Sequence, residues 1–396
     1  MSSIRILNSQ EPDFQDKLNT LLAFETVTDN QLIQTVDTII QKVRQNGDNA
    51  LLELTQTLDK HPATSIDELF IDSNTLKQAF DNLADDVKQA LELSAGRIFS
   101  FHQHQKESGF LFTDELGNTL GQKVTPLDRV GIYVPGGLAS YPSSVLMNAI
   151  PAKVAGVGNI TMVVPAPNGE LNPLVLAAAY LAGVNTVITI GGAQAVAALA
   201  YGTNSIQKVD KITGPGNKYV AAAKRAVFGQ VGIDMIAGPS EVLVYAEGEQ
   251  QDNADWLAMD LLSQAEHDTV AQAIFVTTCK KQLQDVKNAI EKALLSLPKS
   301  KIARTALQNR GALIWVKDRQ QGIDVINQVA PEHLELSLDS PELVETHIRH
   351  AGAIFMGRHT PEAIGDYCAG SNHVLPTSGT ARFSSPLGVY DFCKKS

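Results

Sequence analysis

The sequence has few cysteines and fewer basic than acidic residues, and each of these features argues against one class of protein. Its three cysteines, Cys279, Cys368 and Cys393, are scattered and form no Cys-x-x-Cys pair, so they provide no disulfide framework. The net charge of -11 argues against a nucleic-acid partner, because phosphate binding requires clustered lysine and arginine. We therefore expect a protein of a reducing compartment that does not bind nucleic acid.

Long apolar runs are also missing from the sequence. The longest ones are rich in glycine and alanine and too short to span a bilayer, and the first residues form no signal-peptide pattern. These absences predict a cytoplasmic protein without a membrane partner.

The chain length and the order of its apolar segments predict two α/β lobes. With 396 residues, the chain exceeds the ~250–300 residues at which a single core stops growing. From residue 130 onward, short apolar segments alternate with helical patterns, which predicts two Rossmann-like parallel sheets with right-handed crossovers. These segments are apolar throughout, as strands covered on both faces must be. The predicted strands are 130–134, 160–164, 187–190 and 209–213 in the first series, and 242–245, 273–276, 312–316, 334–336 and 353–356 in the second.

The first hundred residues are mainly helical in pattern. One helix is predicted to start at the cap of Thr28 and to break at the Asn-Gly-Asp sequence of residues 46–48. His102 and His104 are two residues apart and cannot share a helix face, so we expect both to be solvated. The sequence predicts an arm of residues 1–25 and one α/β lobe that consists of residues 26–129 and 239–380. A second lobe, residues 130–238, is predicted to be inserted into the first, and residues 381–396 are predicted to be the start of a C-terminal segment.

Gln264 and His267 are the first candidate site residues. They lie three residues apart at the end of an amphipathic helix that is predicted to begin at the Asp252/Asn253 cap. Side chains at this spacing share a helix face, where an amide oxygen and an imidazole can hold a divalent metal such as zinc. Alternatively, Gln264 is a capping or surface amide and His267 a partner of the helix dipole. The spacing alone leaves both interpretations open.

Glu332 and His333 form a second candidate pair, directly after Pro331. An imidazole is the usual proton shuttle near neutral pH, and a carboxylate beside it can activate water. The alternative is a surface glutamate next to a packed histidine. Asp366, which follows Gly365, is either an anionic metal ligand or a turn former.

Three strands of the first series end in glycine turns directly before a helix, at residues 135–137, 191–192 and 214–216. Helix N-terminal amides accept anions, and ligands bind at the carboxyl edge of an open parallel sheet. However, none of the turns spells G-x-G-x-x-G. The turns therefore either bind a nucleotide in another manner or only connect strands to helices.

Taken together, the motifs resemble the histidinol dehydrogenase family along essentially the whole chain from about residue 25. The matching stretches are residues 130–137, 191–195, 214–217, 234–241, 261–267, 331–334, 365–367 and 371–376. The resemblance implies a zinc-dependent homodimer that uses NAD twice. It implies oxidation of L-histidinol to the aldehyde and then to L-histidine, the last steps of histidine biosynthesis.

The resemblance also implies roles for individual residues. The residues that match metal ligands are Gln264, His267 and Asp366. The catalytic pair is Glu332 and His333, of which His333 would take the alcohol proton and Glu332 would help water to add to the aldehyde. The residues that match substrate contacts are Ser240, Gln264, His267, His333 and Asp366, with Glu362 and His373 as further groups on the substrate side. The residues that match cofactor contacts are Tyr133, Gln194 and Asn217.

The C-terminal part departs from the family pattern. The family continues beyond the stretch Ser384–Gly388 into a tail with a substrate-binding glutamate and a fourth zinc ligand, a histidine, whereas this sequence stops at Ser396. Two expectations follow: an active histidinol dehydrogenase, or a folded but catalytically impaired subunit that lacks the tail's ligand. Only the types of metal ligand would support a third interpretation, a zinc hydrolase.

Overall fold

The computed structural model describes residues 4–23, 30–136, 141–248 and 253–396. The expected helix start at Thr28, the cap residue Asp252 and the last residue of the first glycine turn, Gly137, lie outside these ranges. The strands are β1 (Arg5–Asn8), β2 (Phe70–Ile71), β3 (Phe110–Thr113), β4 (Thr119–Gln122), β5 (Val124–Pro126), β6 (Arg129–Tyr133), β7 (Asn159–Val163), β8 (Thr186–Ile188), β9 (Lys211–Thr213), β10 (Gly232–Ile233), β11 (Glu241–Ala246), β12 (Gln272–Thr277), β13 (Ala312–Trp315), β14 (His333–Leu336), β15 (Ala353–Met356) and β16 (Cys393–Lys395).

Helices connect most of these strands. The α-helices are α1 (Phe14–Leu22), α2 (Asn30–Leu58), α3 (Ser73–Asp81), α4 (Asp85–Gln103), α5 (Pro142–Ala155), α6 (Pro173–Ala182), α7 (Gly192–Tyr201), α8 (Lys218–Val227), α9 (Ala254–Ala265), α10 (Lys280–Ala293), α11 (Ser300–Arg310), α12 (Arg319–Val329), α13 (Glu342–Glu345) and α14 (Glu362–Ile364). A π-helical turn, Gly365–Ala369, follows α14. No helix within the described ranges combines the length and the apolarity that crossing a membrane requires.

The chain divides into two compact units, and unit 1 consists of residues 1–27, 237–366 and 375–386. Its sheet is parallel throughout and has the order β1-β13-β12-β11-β14-β15. Counted from β11, this is the 3-2-1-4-5 order of a doubly wound fold. The segment predicted as an arm contributes the edge strand β1, which pairs with β13.

Both faces of the unit 1 sheet are covered by helices. Along β11, Val242 and Val244 pack into one core, whereas Leu243 and Tyr245 pack into another on the opposite face. Successive side chains of a strand point to opposite faces, so a strand covered on both sides is apolar along nearly its whole length. This packing confirms the parallel sheet predicted from the apolar segments.

Unit 2 consists of residues 28–236, 367–374 and 387–396. Its sheet has the order β10-β9-β6-β7-β8-β2, in which the edge strand β2 is antiparallel and the others are parallel. Counted from β6, the order is again 3-2-1-4-5. Outside this sheet, β3 and β4 form a hairpin, and β5 pairs with β16. The two Rossmann-like sheets predicted from the sequence are thus confirmed.

The helices of residues 30–103 belong to unit 2, and the predicted assignment of residues 26–129 to the other lobe is wrong. Val36, Ile40 and Leu51 of α2 share a core with the alanine-rich α7 and with α8. On the opposite face of the same sheet, α3 and α4 pack with α5 and α6. The amphipathic period of a helix shows that one face is buried, but it does not show which sheet that face covers.

His102 is buried, and its prediction as a solvated residue is wrong. Its Nδ1 donates to the Ile98 carbonyl oxygen at 2.7 Å, and the Asn372 amide donates to its Nε2 at 3.3 Å. His104 is exposed, as expected. The predicted helix break is confirmed as a kink, because Gly47 interrupts α2 with a φ of 52°.

Candidate active site

Glu332 and His333 are buried at the amino edge of the unit 1 sheet. The preceding helix α12 ends at Ala330, whose φ of 52° turns the chain into Pro331 and then into β14. In that strand His333 lies beside Val242 of β11 and Ala353 of β15. The strand entry places the two adjacent residues in one buried region, which the sequence left open.

The backbone of Glu241 holds both residues. Its N–H donates to Glu332 Oε2 at 2.9 Å, and its carbonyl oxygen accepts from His333 Nδ1 at 2.9 Å. A carbonyl oxygen can only accept, so His333 Nδ1 carries a proton. The other ring nitrogen, Nε2, lies 3.2 Å from Asp366 Oδ2. In the neutral ring, Nε2 is therefore the nitrogen that is able to take up a proton.

His333, Glu362 and Asp366 form a cluster that is suited to a metal ion. One ligand atom from each residue lies within 4.8 Å of the others. The Gln264 side-chain amide donates to Glu362, which links it to this cluster. Among the described residues, no hydrogen-bond partner is found for the buried oxygens Gln264 Oε1 and Glu362 Oε2. Buried oxygens without partners are costly, and a divalent cation would satisfy them.

The electrostatics of the cluster also favour a cation. Burial raises the pKa of Glu332 to about 8 and the pKa of Glu362 to about 7. Burial opposes protonation of His333, but the carboxyl groups of Glu332, Asp366 and Glu362 outweigh it and hold the pKa of His333 well above its usual value. Three carboxyl groups thus surround a single imidazole in a buried site. Oxygen and imidazole donors of this kind suit zinc and its neighbours.

The other predicted residues of unit 1 lie near this edge of the sheet. The helix that carries Gln264 ends at Ala265, so His267 follows in a turn and is exposed, contrary to the shared helix face predicted. Partial burial of its ring and the nearby Lys299 lower the pKa of His267, and His333 contributes in the same direction. Ser240 is half-buried directly before β11. His267 is thus within electrostatic range of the cluster but is not one of its three members.

The predicted cofactor residues lie at the carboxyl edge of the unit 2 sheet. Tyr133 ends β6, and its hydroxyl oxygen accepts from the Gly192 N–H at 3.0 Å. Asn217 follows β9 and caps α8 by accepting from two backbone N–H groups. Gln194 is buried in α7, and its Oε1 has no hydrogen-bond partner among the described residues.

The turns after β6 and β9 lie at the switch point of the sheet. The strands β6 and β9 are adjacent, although β7 and β8 intervene in the chain on the other side of β6. Ligands of open parallel sheets bind in the crevice outside the carboxyl ends of such strands. His373, predicted as a substrate contact, also belongs to unit 2, where its ring centroid lies 6.5 Å from that of Tyr367.

Two buried glutamates near the cluster were missed by sequence reasoning. Glu241 binds Glu332 and His333 through its backbone, and its side chain accepts from the Ser378 N–H at 2.9 Å. Glu335 accepts from the Glu362 N–H at 2.7 Å. Both are carboxylates in strands that are otherwise apolar, and this contrast was a signal that could have identified them.

Fold and site together define a class of protein. Two doubly wound sheets, one with glycine turns at its switch point and the other with a buried carboxylate–histidine cluster, are typical of an α/β oxidoreductase. The family model of histidinol dehydrogenase matches residues 23–396, and the chain belongs to this family. Membership of this family makes it an NAD-dependent dehydrogenase.

Individual relatives are similar over nearly their whole length. A histidinol dehydrogenase of Psychrobacter arcticus is 71% identical over 393 residues, which cover 99% of this chain and 91% of that protein. The corresponding protein of Acinetobacter baylyi is 70% identical with the same coverage. The crystal structure of histidinol dehydrogenase from Elizabethkingia anophelis superposes with a TM-score of 0.92 at 36% identity, covering 99% of this chain and 89% of that one.

Proposed function

We propose that the protein oxidises L-histidinol to L-histidine in two NAD-linked steps, by way of L-histidinaldehyde. The observation that carries the proposal is the buried pair of Glu332 and His333 in a chain of the histidinol dehydrogenase family. Glu332 accepts from the backbone N–H of Glu241, and His333 donates to the backbone carbonyl oxygen of the same residue. A basic imidazole nitrogen and a carboxyl group in one buried site are what two successive proton removals require.

Zinc and NAD each fit residues of this chain. We assign zinc to Gln264, His267 and Asp366, with the unpartnered oxygen of Gln264 as the supporting observation. We assign NAD to Tyr133, Gln194 and Asn217, with the unpartnered buried oxygen of Gln194 as the corresponding support. When bound, zinc orients and polarises the substrate, and NAD accepts a hydride in each step.

In the first step, His333 Nε2 takes the proton of the substrate hydroxyl as the hydride leaves its carbon. The Nδ1–H bond to the Glu241 carbonyl fixes the ring in the tautomer that permits this transfer. In the second step, Glu332 takes a proton from the water that adds to the aldehyde carbon. His333, which carries the proton from the first step, gives it to the aldehyde oxygen, so that the hydrate forms. His333 then takes a hydroxyl proton of the hydrate as the second hydride leaves. The product is the carboxylic acid, which loses its proton to solvent and becomes the carboxylate.

The remaining assignments rest on the family resemblance. We propose that Ser240, Glu362 and His373 contact the substrate, and that the protein acts as a homodimer in the cytoplasm. Glu362 is the best supported of the three, because it is buried and belongs to the cluster with His333 and Asp366.

The test is a turnover assay on the zinc-loaded chain. NADH absorbance is followed with histidinol and NAD, and the product is identified chromatographically. We expect two NADH and one histidine for each histidinol consumed. Formation of one NADH with histidinaldehyde as the end product would reject the two-step proposal. Absence of any NADH under saturating zinc would reject the proposed function.

A further inference from the structure

Lys224 and Asp234 form an ion pair that is buried inside unit 2. Their side chains are 3% and 1% exposed, and the Lys224 ammonium donates to Asp234 Oδ1. Lys224 lies on α8 and Asp234 directly after β10. Burying two charges carries a desolvation cost that the attraction between them roughly offsets, so such a pair contributes little net stability. The role of the pair must therefore follow from the groups that it binds and not from a contribution to stability.

Both members of the pair bind the same residue, Gly214. The Lys224 ammonium donates to the Gly214 carbonyl oxygen at 2.9 Å. The second carboxylate oxygen of Asp234 accepts from the Gly214 N–H at 2.8 Å. The pair thus closes a ring of charge-assisted hydrogen bonds around the two polar backbone groups of one glycine, and such bonds are stronger than those between neutral groups.

Gly214 opens the turn that leads to Asn217, and its conformation requires support. Its φ of 107° is one that residues with a side chain rarely adopt, and a Cβ there would lie 2.1 Å from the Tyr133 carbonyl oxygen. The turn therefore rests directly against the end of β6. A shift of Gly214 would displace the turn from Tyr133 and move Asn217 with it.

We propose that Lys224 and Asp234 are positioning residues for the nicotinamide cofactor: they fix the turn of residues 214–217 in its cofactor-binding conformation through the backbone of Gly214. This inference rests on the proposed function, because it takes Tyr133 and Asn217 as cofactor contacts. The pair itself acts through the turn and does not touch the cofactor.

The test compares Asp234→Asn, Lys224→Met and the double variant with the wild type in the zinc-loaded enzyme. Asparagine keeps an acceptor for the Gly214 N–H but removes the charge, whereas methionine removes the donor to the Gly214 carbonyl. We expect the KM for NAD to rise by roughly 10- to 100-fold, the size of effect that a misplacement of about 1 Å can cause. The KM for histidinol should stay unchanged.

A matched control separates positioning from stability. Val227→Ala removes buried packing from the same helix without touching the turn, so it should lower the melting temperature and leave the KM for NAD unchanged. An equal rise of this KM in Val227→Ala at a similar loss of melting temperature would overturn the inference. If Lys224→Met does not fold, the nearly isosteric Asp234→Asn decides alone.

Direct binding of NAD to the zinc-loaded proteins, measured by calorimetry, distinguishes two kinds of failure. A wild type that binds NAD, together with variants that bind it equally well, would overturn this inference and leave the proposed function intact. A wild type that neither binds NAD nor reduces it would overturn both.

Discussion

Replacing Glu332 with glutamine should separate the two oxidation steps. Glu332 Oε2 accepts from the Glu241 N–H at 2.9 Å, and the amide oxygen of a glutamine can accept the same bond. The variant should therefore fold and retain His333 in place. It cannot take a proton from water, because an amide is not a base at neutral pH. The loss should fall on the step in which water adds to the aldehyde.

The expected magnitudes differ between the steps. Removing a general base costs ~10²–10⁴-fold, so oxidation of histidinaldehyde should slow by that factor. Glu332 Oε2 also lies 3.6 Å from His333 Nδ1. A carboxylate at this distance raises the pKa of a neighbouring imidazole by ~1–3 units, so its removal makes His333 a weaker base. The rate of proton transfer falls by only part of the fall in basicity. Alcohol oxidation should therefore slow by roughly tenfold.

The assay supplies histidinol and histidinaldehyde separately and measures the single-turnover rate of NADH formation for each. Glu342→Gln, an exposed change of the same type in the same unit, serves as the control and should leave both rates unchanged. Equal losses in both steps would refute the reasoning and would make Glu332 a residue that orients His333.

Four further outcomes are expected. His333→Gln should keep the fold and metal binding but lose ~10²–10⁴-fold in turnover; a rate near that of the wild type would reject His333 as the base. Gln264→Leu should weaken zinc retention by ~10–100-fold or more, measured by metal analysis during chelator titration; unchanged retention would remove Gln264 from the ligands. Burial lowers the pKa of His102, so its contribution to stability is complete above its unfolded pKa of ~6.5 and is lost as the pH falls below it. The melting temperature of the wild type should thus fall more steeply between about pH 7 and pH 5 than that of His102→Gln, and parallel curves would contradict this. Gly214→Ala should lower the free energy of unfolding by about 3 kcal/mol or more in urea titrations, through backbone strain and the contact with the Tyr133 carbonyl; a loss below about 1 kcal/mol would show that the turn can relax.

The features that were predictable from the sequence are those that depend on local pattern. A strand covered on both faces is apolar along nearly its whole length, and β11 is visible in the sequence for that reason. Both sheets could thus be predicted. The sequence of an amphipathic helix does not show which sheet the helix covers, and the pattern therefore predicts the wrong sheet for α2. His102 shows the same limit, since one residue that contacts its ring, Asn372, lies 270 positions away in the sequence.

The candidate site was predictable to the extent that its residues occur in family motifs. Glu332 and Asp366 lie in two such motifs, and the structure brings both motifs together around His333. The anchoring role of Glu241 could not be predicted, because it uses backbone groups, which every residue has. The helix α9 ends at Ala265, before His267. The apolar pattern continues up to that residue and does not show that the helix stops there.

The interleaving of the two units has a consequence for protein synthesis. All strands of the unit 2 sheet lie within residues 28–236, so this sheet can form while the later part of the chain is still on the ribosome. The first strand, β1, emerges before all of them, yet its partner β13 follows only after residue 311. If the unit 2 sheet forms at that stage, β1 is still without its partner strand. The strand is only four residues long and begins with Arg5, and both properties limit its pairing with other chains during that interval.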